Sequence, residues 1–251
     1  MNWTRWRAFL AGMLLLGAAG VAAAGELLIA HGLDKPPFVF GSEQRGLEVD
    51  LMREALAFKG HTMRVVHIPN KRLQVAIQTA GVDGAATVRE AADGNFYSDD
   101  FITFENYAIT RRSAAIRLDS VVDLKGHSIA AWQNAYRDLG ADFEAAFQPD
   151  AKAAYLKSYF ELPSQRSQNL MFWHDRAEVI IVDKTIFLWY RKALAKEVDT
   201  SADVVFHNLF PRRTHFQVAF KDRHIRDDFN EGLRHLRETG RYQQLVDAYI
   251  K

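Results

Sequence analysis

One carboxylate stands where burial should be costly. Residues 179–182 (VIIV) are four consecutive apolar residues, a pattern typical of a strand buried on both faces, and Asp183 follows them directly. A buried carboxylate needs a charged or hydrogen-bonding partner. Because ligands of α/β proteins bind at the carboxyl ends of strands, we interpret Asp183 as a contact for a positively charged ligand group. Capping of the following helix is the alternative, and the two roles are compatible.

Two arginines are candidates for the opposite task, binding a ligand carboxylate. Arg89 follows the predicted strand 84–88, and its planar guanidinium can hold a carboxylate through two parallel hydrogen bonds. The alternative for Arg89 is a surface ion pair with Glu90 or Asp93. Arg72, after the strand 62–68, is the second candidate for the same role. Thr87 could add a hydroxyl or a backbone N–H beside Arg89.

Further candidates are aromatic or lie at strand ends. Phe38 is expected to stack on the ligand or cover it, with a plain core position as the alternative. Trp132 leads into a predicted helix start whose N–H groups, near Asn134 and Ala135, favour an anion; capping by Asn134 is compatible with this. Glu161 follows a second strand and is either a cleft residue or a surface residue.

The elements that must position these residues alternate along the chain. Strand and helix patterns follow one another in two series of around 90 residues, which predicts an α/β fold of two lobes, each a mainly parallel sheet flanked by helices. The predicted strands are 26–30, 62–68, 84–88, 128–132, 153–159, 178–182 and 216–220, and the predicted helices are 46–60, 71–81, 135–147, 164–173, 185–194, 225–239 and 242–250.

Composition excludes several function classes. The chain of 251 residues has no cysteine, which excludes disulfides, thiol catalysis and thiolate metal sites. A formal charge of +1 gives no reason to expect nucleic acid as a partner. The nine histidines show no metal-ligand spacing, and no P-loop, dinucleotide or nucleophile-elbow motif occurs, so we expect no metal and no cofactor. The acids Glu48, Asp50 and Asp83 are explained by helix faces and turns, and we leave them out of the site.

The first 24 residues have the pattern of a secretory signal peptide. Two arginines precede an apolar run, and small residues ending in AAA precede a cleavage site expected after Ala24. An uncleaved anchor is the alternative. Cleavage would remove both arginines and no acid, so the formal charge would fall from +1 to −1. We therefore expect an exported, periplasmic protein.

Several segments resemble, in order and spacing, the family-3 solute-binding proteins of polar amino-acid ABC transporters, which have the type-2 periplasmic binding fold. The resemblance covers nearly the whole chain after the signal peptide. RAEVIIVD matches the family pattern Gly-Arg-x-Asp-Ala-x-x-x-Asp from its arginine onward, with Glu178 in place of the first Asp. The segments are PPF and RGLEVDL (36–38 and 45–51), VDLKGHSIAAWQNA (122–135), RAEVIIVD (176–183) and DFNEGLRHLRETGRYQQLVDAY (228–249).

This resemblance implies a fold and a function. The fold would be two lobes joined by two hinge strands, with residues 25–111 and 215–251 in the first lobe and 112–214 in the second. The function implied is capture of a small polar solute, an amino acid, by cleft closure, and its delivery to an ABC permease or a membrane sensor by a monomer. The counterpart of Asp183 accepts hydrogen bonds from the ligand's ammonium, and that of Phe38 flanks the ligand.

The sequence departs from the family pattern at one place, and the resemblance also allows an alternative function. The family's carboxylate-binding arginine belongs to a Thr-x-x-x-Arg motif shortly before an aromatic-Ser pair, whereas Arg89 lies several residues earlier relative to Tyr97 and Ser98. Cyclohexadienyl dehydratases resemble these binding proteins, so an enzyme on the same fold is the alternative function. Glu161 would then be a candidate general acid. We expect a binding protein and not an enzyme.

Overall fold

The structure is a computed structural model that describes residues 25–152 and 154–250. The predicted signal peptide, residues 1–24, lies outside the described residues. Strands and α-helices alternate as the sequence patterns predict. The strands are β1 (Glu26–His31), β2 (Thr62–His67), β3 (Gly84–Val88), β4 (Phe96–Tyr97), β5 (Ile102–Phe104), β6 (Asn106–Arg111), β7 (Ile129–Trp132), β8 (Tyr159–Leu162), β9 (Val179–Asp183), β10 (Val204–His207) and β11 (Thr214–Phe220). The helices are α1 (Leu47–Ala57), α2 (Asn70–Leu73), α3 (Ala76–Ala80), α4 (Ala141–Phe147), α5 (Gln165–Trp173), α6 (Lys184–Ala193), α7 (Arg223–Glu238) and α8 (Arg241–Ile250).

The strands form two sheets, which confirms the predicted α/β fold of two lobes. The first sheet has the order β2-β1-β3-β11-β4, with β5 also paired to β11, and the second has the order β10-β6-β9-β7-β8. β1 is parallel to β2 and β3, and β7 is parallel to β8 and β9. β6 and β11 pair antiparallel with their neighbours. Each sheet therefore combines a parallel centre with antiparallel strands, and is less parallel than the sequence suggested.

The chain passes between the sheets on either side of the second lobe. β5 belongs to the first sheet and β6, which begins at Asn106, to the second. We expected the first lobe to extend to residue 111. Residues 106–110 pair antiparallel with β9, and residues 108–111 pair antiparallel with β10, so β6 belongs to the second sheet. The chain returns to the first sheet between β10 and β11. The limits of the lobes as whole units stay a prediction.

Some predicted elements differ in extent from the observed ones. The helix expected at 135–147 is a 3-10 turn (Ala135–Arg137) followed by α4, because Gly140, inside the expected range, has a positive φ angle and interrupts the helix. The helix expected at 71–81 is divided into α2 and α3. The strand expected at 153–159 is β8, which begins where that range ends. β4, β5, β6 and β10 are not among the predicted strands. β4, β5 and β10 have only two to four residues, and strands of this length carry little periodic signal.

A close contact between α1 and α7 lies in the core of the first lobe. Both helices bury one apolar face, and their side chains belong to a core cluster that also includes residues of α5, α6 and β9. The helices approach so closely at Gly232 that a Cβ placed there would lie 1.9 Å from the backbone oxygen of Ala55. Among the described residues no helix is long and apolar enough to cross a membrane.

The close approach at Gly232 predicts a reversal of the usual helix preference. Alanine normally stabilises a helix interior relative to glycine, by roughly 1 kcal/mol. Here we expect Gly232→Ala to lower the free energy of unfolding by about 1–3 kcal/mol, because α7 must move away from α1 to accommodate the methyl group. Urea unfolding followed by circular dichroism measures the change.

Gly126→Ala is the matched control, because a Cβ at Gly126 meets no atom within 4 Å. We expect its effect to be under about 1 kcal/mol. A Gly232→Ala variant as stable as the original chain would contradict the described packing of α1 on α7.

Candidate functional site

A cavity of about 450 Å³ lies between the two sheets and is lined by residues of both lobes. Its lining is mixed: carboxylates, cations, amides and aromatic rings all contribute. The first lobe contributes among others Lys35, Asn70, Gln74, Thr87, Arg89 and Phe104, and the second contributes among others Trp132, Gln133, Asn134, Arg137, Asp138, Gln165 and Asp183.

Five of the nine residues predicted to bind a ligand line this cavity, and four do not. The lining residues are Thr87, Arg89, Trp132, Asn134 and Asp183, and the others are Phe38, Arg72, Ala135 and Glu161. The structure therefore brings together residues that are far apart in the sequence. Their ligand contacts stay predictions.

Asp183 has both positions that the sequence allowed, at the helix start and at the cavity wall. One carboxylate oxygen, Oδ1, accepts the backbone N–H groups of Thr185 (2.8 Å) and Ile186 (3.1 Å), which caps α6. The other, Oδ2, accepts the backbone N–H of Glu105 at 2.8 Å. Asp183 is only 5% exposed, and burial raises its pKa to about 6 although these N–H groups and Lys35 favour the ionised form.

Arg89 reaches across the cavity to the second lobe. Its Nη1 donates to the backbone oxygen of Arg137 at 2.8 Å and lies 3.8 Å from Oδ1 of Asp138. The ion-pair partner is thus a residue of the opposite lobe and not Glu90 or Asp93. The backbone of Arg89 is fixed by the side chain of Gln74, which donates to its carbonyl oxygen and accepts from its N–H. Arg89 is therefore the direct polar link between the two walls of the cleft.

Asp138 is the acid of the second lobe that the sequence analysis did not select. Its Oδ2 accepts Nε1–H of Trp132 at 3.3 Å. Burial raises the pKa of Asp138 to about 6, although Trp132, Arg89 and Arg137 favour its ionised form. Asp138 also borders a smaller cavity of about 160 Å³, together with Arg89 and Arg213. The Arg89–Asp138 contact therefore lies at the boundary between two cavities.

Phe38, Arg72 and Ala135 lie outside the cavity lining. Phe38 is buried in the core, with its ring centroid 4.7 Å from that of Phe104, which does line the cavity. Arg72 is exposed on α2. Ala135 is fully buried at the start of the 3-10 turn. Phe38 therefore packs against a residue of the cavity wall, whereas Arg72 is not part of that wall.

Glu161 lies behind the cavity wall and supports it. Its carboxylate accepts the backbone N–H of Asn134 at 2.9 Å and the hydroxyl groups of Tyr155 and Tyr159, both at 3.1 Å. Asn134 has φ of 63°, in the left-handed region. The hydrogen bond from Asn134 to Glu161 helps to hold this conformation. Glu161 thus fixes the loop that presents Gln133 and Asn134 to the cavity.

Several solved structures of other proteins have the same fold as this chain. A histidine kinase sensor domain with similarity to periplasmic binding proteins superposes with a TM-score of 0.72 at 17% identity, over 91% of this chain and 97% of that chain. This superposition shows that the chain has the fold of periplasmic binding proteins. The substrate binding protein of an amino acid ABC transporter superposes with a TM-score of 0.66 at 21% identity, over 90% of this chain and 99% of that chain.

A third structure with the binding-protein fold comes from Geobacillus stearothermophilus. It is the arginine-, lysine-, histidine-binding protein ArtJ, with a TM-score of 0.71 at 14% identity, over 90% of this chain and 95% of that chain. No protein-family model matches the chain. No curated protein matches it either. The fold shown by these superpositions is the one that the sequence resemblance implied.

Cavity residues that sequence reasoning missed include Lys35, Gln74, Asn106 and Gln165. Lys35 directly precedes the PPF segment that carried the family resemblance, so its position in the chain was a usable signal. Gln74, Asn106 and Gln165 carry no sequence signal, because uncharged amides are common on any helix or strand. Within residues 25–152 and 154–250, no group of three or more His, Asp or Glu side chains could hold a metal ion.

The raised pKa of Asp138 predicts a pH dependence of stability with a definite sign. The folded chain binds a proton at Asp138 with a pKa of about 6, above the ordinary value of 3.8 that applies when unfolded. Between these values the folded state takes up the proton, so Asp138 makes the folded state more stable as the pH falls. From pH 7.5 to pH 5 this gain should be about 1 kcal/mol.

The gain is measured as a difference between two proteins. We expect the free energy of unfolding of the original chain, minus that of Asp138→Asn, to rise by this amount as the pH falls from 7.5 to 5, because asparagine cannot titrate. Urea unfolding at several pH values gives both quantities. A difference that stays constant, or falls, would show that the carboxylate of Asp138 is not desolvated as described.

Proposed function

We propose that this chain is a non-catalytic extracytoplasmic binding protein that captures a small polar solute, an amino acid, in the cavity between its lobes. The observation that carries the proposal is the placement of charges. Arg89 at the end of β3 and Asp183 at the end of β9 belong to opposite lobes and line one cavity. A zwitterion needs a partner for each of its charges, and this cavity offers both.

The size and lining of the cavity support a small zwitterionic ligand. A volume of about 450 Å³ lies within the usual range for small-molecule sites, roughly 300–1,000 Å³. The ligand carboxylate would bind to Arg89, aided by the backbone N–H of Thr87, and the ammonium would bind to Asp183. Asp183 already accepts three backbone N–H groups, two at Oδ1 and one at Oδ2, so a ligand ammonium would use the lone pair that remains on Oδ2. Aromatic rings of Phe104 and Trp132 complete the walls.

Binding would be coupled to closure of the cleft. A ligand shifts an equilibrium between open and closed forms only by its difference in affinity for the two. A zwitterion contacts both lobes when the cleft is closed and only one lobe when it is open. Its affinity for the closed form is therefore higher. Contacts between the lobes beyond the cavity wall would also stabilise the closed form: the hydroxyl of Tyr190 donates to Asp34 at 3.4 Å, and the rings of Phe40 and Trp189 are 6.1 Å apart.

The biological setting follows from the signal peptide and from the structural neighbours. Residues 1–24 would direct the chain to the periplasm and be cleaved there. The neighbours include a substrate binding protein of an amino acid ABC transporter and a sensor domain of a histidine kinase. The closed form, as a monomer, would accordingly be recognised by an ABC permease or a membrane sensor. Neither role requires a cofactor.

The enzyme alternative is disfavoured by the position of Glu161. A general acid must approach the ligand within hydrogen-bonding distance. Glu161 does not line the cavity, and its carboxylate is engaged by Asn134, Tyr155 and Tyr159. The dehydratase mechanism implied for this residue therefore has no suitable geometry.

Thermal unfolding of ligand-free mature protein tests the function. The panel should include neutral, basic and acidic amino acids, together with dicarboxylates that lack an amine. An amino acid present at about 100 times its Kd should stabilise the protein by about 2.7 kcal/mol, which raises the Tm by several degrees. We expect a shift with amino acids and none with the amine-free acids, because the latter leave Asp183 unpaired.

Arginine variants give the matched control for this panel. Arg89→Ala should abolish the shift, whereas Arg72→Ala, on the exposed face of α2, should retain it. A shift with amine-free dicarboxylates would contradict the zwitterion hypothesis. An Arg89→Ala variant that still binds normally would remove Arg89 from the site.

A further inference from the structure

Glu48 is a charged residue without solvent contact directly behind the cavity. It lies in the first turn of α1, its side chain has no exposed surface, and it is not part of the cavity lining. One carboxylate oxygen, Oε1, lies 2.6 Å from Nζ of Lys35. The other, Oε2, accepts the hydroxyl hydrogen of Thr87 at 2.7 Å. Both partners of Glu48, Lys35 and Thr87, line the cavity.

Lys35 and Thr87 come from separate segments of the chain, and each needs an interaction that holds it in its observed conformation. Lys35 lies in the loop after β1, and its ammonium, 4.7 Å from the ring centroid of Phe104, is almost fully buried. A lysine side chain is long and flexible, so a fixed counter-ion is required to keep the ammonium at one place. Thr87 has φ of 58°, which is a strained conformation for a β-branched residue. Its hydrogen bond to Glu48 helps to hold that conformation.

The electrostatics agree with an ionised Glu48. Burial alone raises the pKa of Glu48, but the charge of Lys35 and the proximity of His31 outweigh it and lower the pKa to about 2. His31 is fully buried with its Nδ1 3.8 Å from Glu48, and burial lowers the pKa of His31, which favours its neutral form. Lys35 is therefore the principal cation that compensates the carboxylate.

We propose that Glu48 is the positioning residue of this cavity, which sets ligand affinity by holding the Lys35 ammonium and the Thr87 hydroxyl in place without touching the ligand. This inference rests on the proposed binding function. Lys35 is close enough to act on Asp138 and Asp183, since its charge lowers the pKa of both carboxylates. Displacement of Lys35 would therefore change the field at both acids of the second lobe.

A double-mutant cycle in ligand affinity separates positioning from a merely structural role. The variants are Glu48→Gln, Lys35→Met and the double variant, and the probes are L-arginine, L-glutamine and L-glutamate, each measured by isothermal titration calorimetry. Glutamine keeps an oxygen acceptor for Thr87 and removes only the charge that holds Lys35. We expect Glu48→Gln to weaken the binding of whichever probes bind the original chain at least tenfold. In the Lys35→Met background the same substitution should weaken it less than threefold.

Equal factors in both backgrounds would overturn the proposal, because Glu48 would then act independently of Lys35. Glu54→Gln is the matched control: Glu54 lies on the same helix and pairs with Arg241 instead. We expect its affinity within twofold of the original. If no amino acid of the thermal-unfolding panel binds the original chain, the proposed function fails and this inference with it. That outcome differs from equal factors in both backgrounds, which can be measured only when a ligand binds.

A second pair of variants covers the case in which Glu48→Gln does not fold. Thr87→Val removes the hydroxyl donated to Glu48, whereas Thr87→Ser keeps it. We expect Thr87→Val to lose affinity at least fivefold and Thr87→Ser to retain it within twofold. Equal affinities of these two variants would overturn the part of the proposal that runs through Thr87.

The pairing itself has a readout that needs no ligand. The ¹³C resonance of the Glu48 carboxyl group reports its titration, and in Lys35→Met its midpoint should rise by more than one pH unit. An unchanged midpoint would show that Lys35 does not hold the carboxylate, and would overturn the proposal irrespective of any binding result.

Discussion

The carboxylate of Asp183 joins three parts of the molecule at one point. It caps α6, it accepts the N–H of Glu105 in the segment where the chain passes from the first sheet to the second, and it forms part of the cavity wall. Asn106, the next residue, pairs with Asp183 across β6 and β9. The position of the interlobe crossing, the start of a helix and the polarity of the cleft therefore depend on one buried, desolvated acid, whose pKa is raised to about 6 by that burial.

The cleft keeps its charges at a high energetic cost, and this cost is consistent with a binding role. Asp138 and Asp183 are both desolvated, and among the described residues the one cation within ordinary ion-pair distance of either is Arg89, 3.8 Å from Asp138. Lys35 is compensated from behind by Glu48. Incompletely paired charges of this kind reduce the free energy of unfolding, and a bound ligand of matching charge would offset this loss. Arg89 contacts Arg137 and Asp138 of the second lobe directly, so a ligand carboxylate would share or replace those contacts.

Much of the fold could be predicted from the sequence, because its strongest signals are periodic and local. The apolar run before Asp183, the amphipathic α7 and α8, and the glycine between them gave their elements nearly at the observed limits. The site could be predicted only in part. Asp138 lies at the cavity in a segment where Gly140 breaks an expected helix, a backbone property that periodicity does not contain. Glu48 was attributed to a helix face because charge usually indicates exposure, and its burial depends on Thr87, 39 residues away.

The most direct test of ligand binding between the two lobes is the distance between them, measured with and without amino acids. The chain has no cysteine, so Val75→Cys and Val122→Cys, both at exposed positions, would place one spin label on each lobe. Pulsed electron paramagnetic resonance then gives the distribution of distances. We expect at least one of L-arginine, L-glutamine and L-glutamate to narrow this distribution and to move it to shorter distances, and we expect Arg89→Ala to abolish the effect. An unchanged distribution with all three would contradict a ligand bound between the lobes by both of its charges.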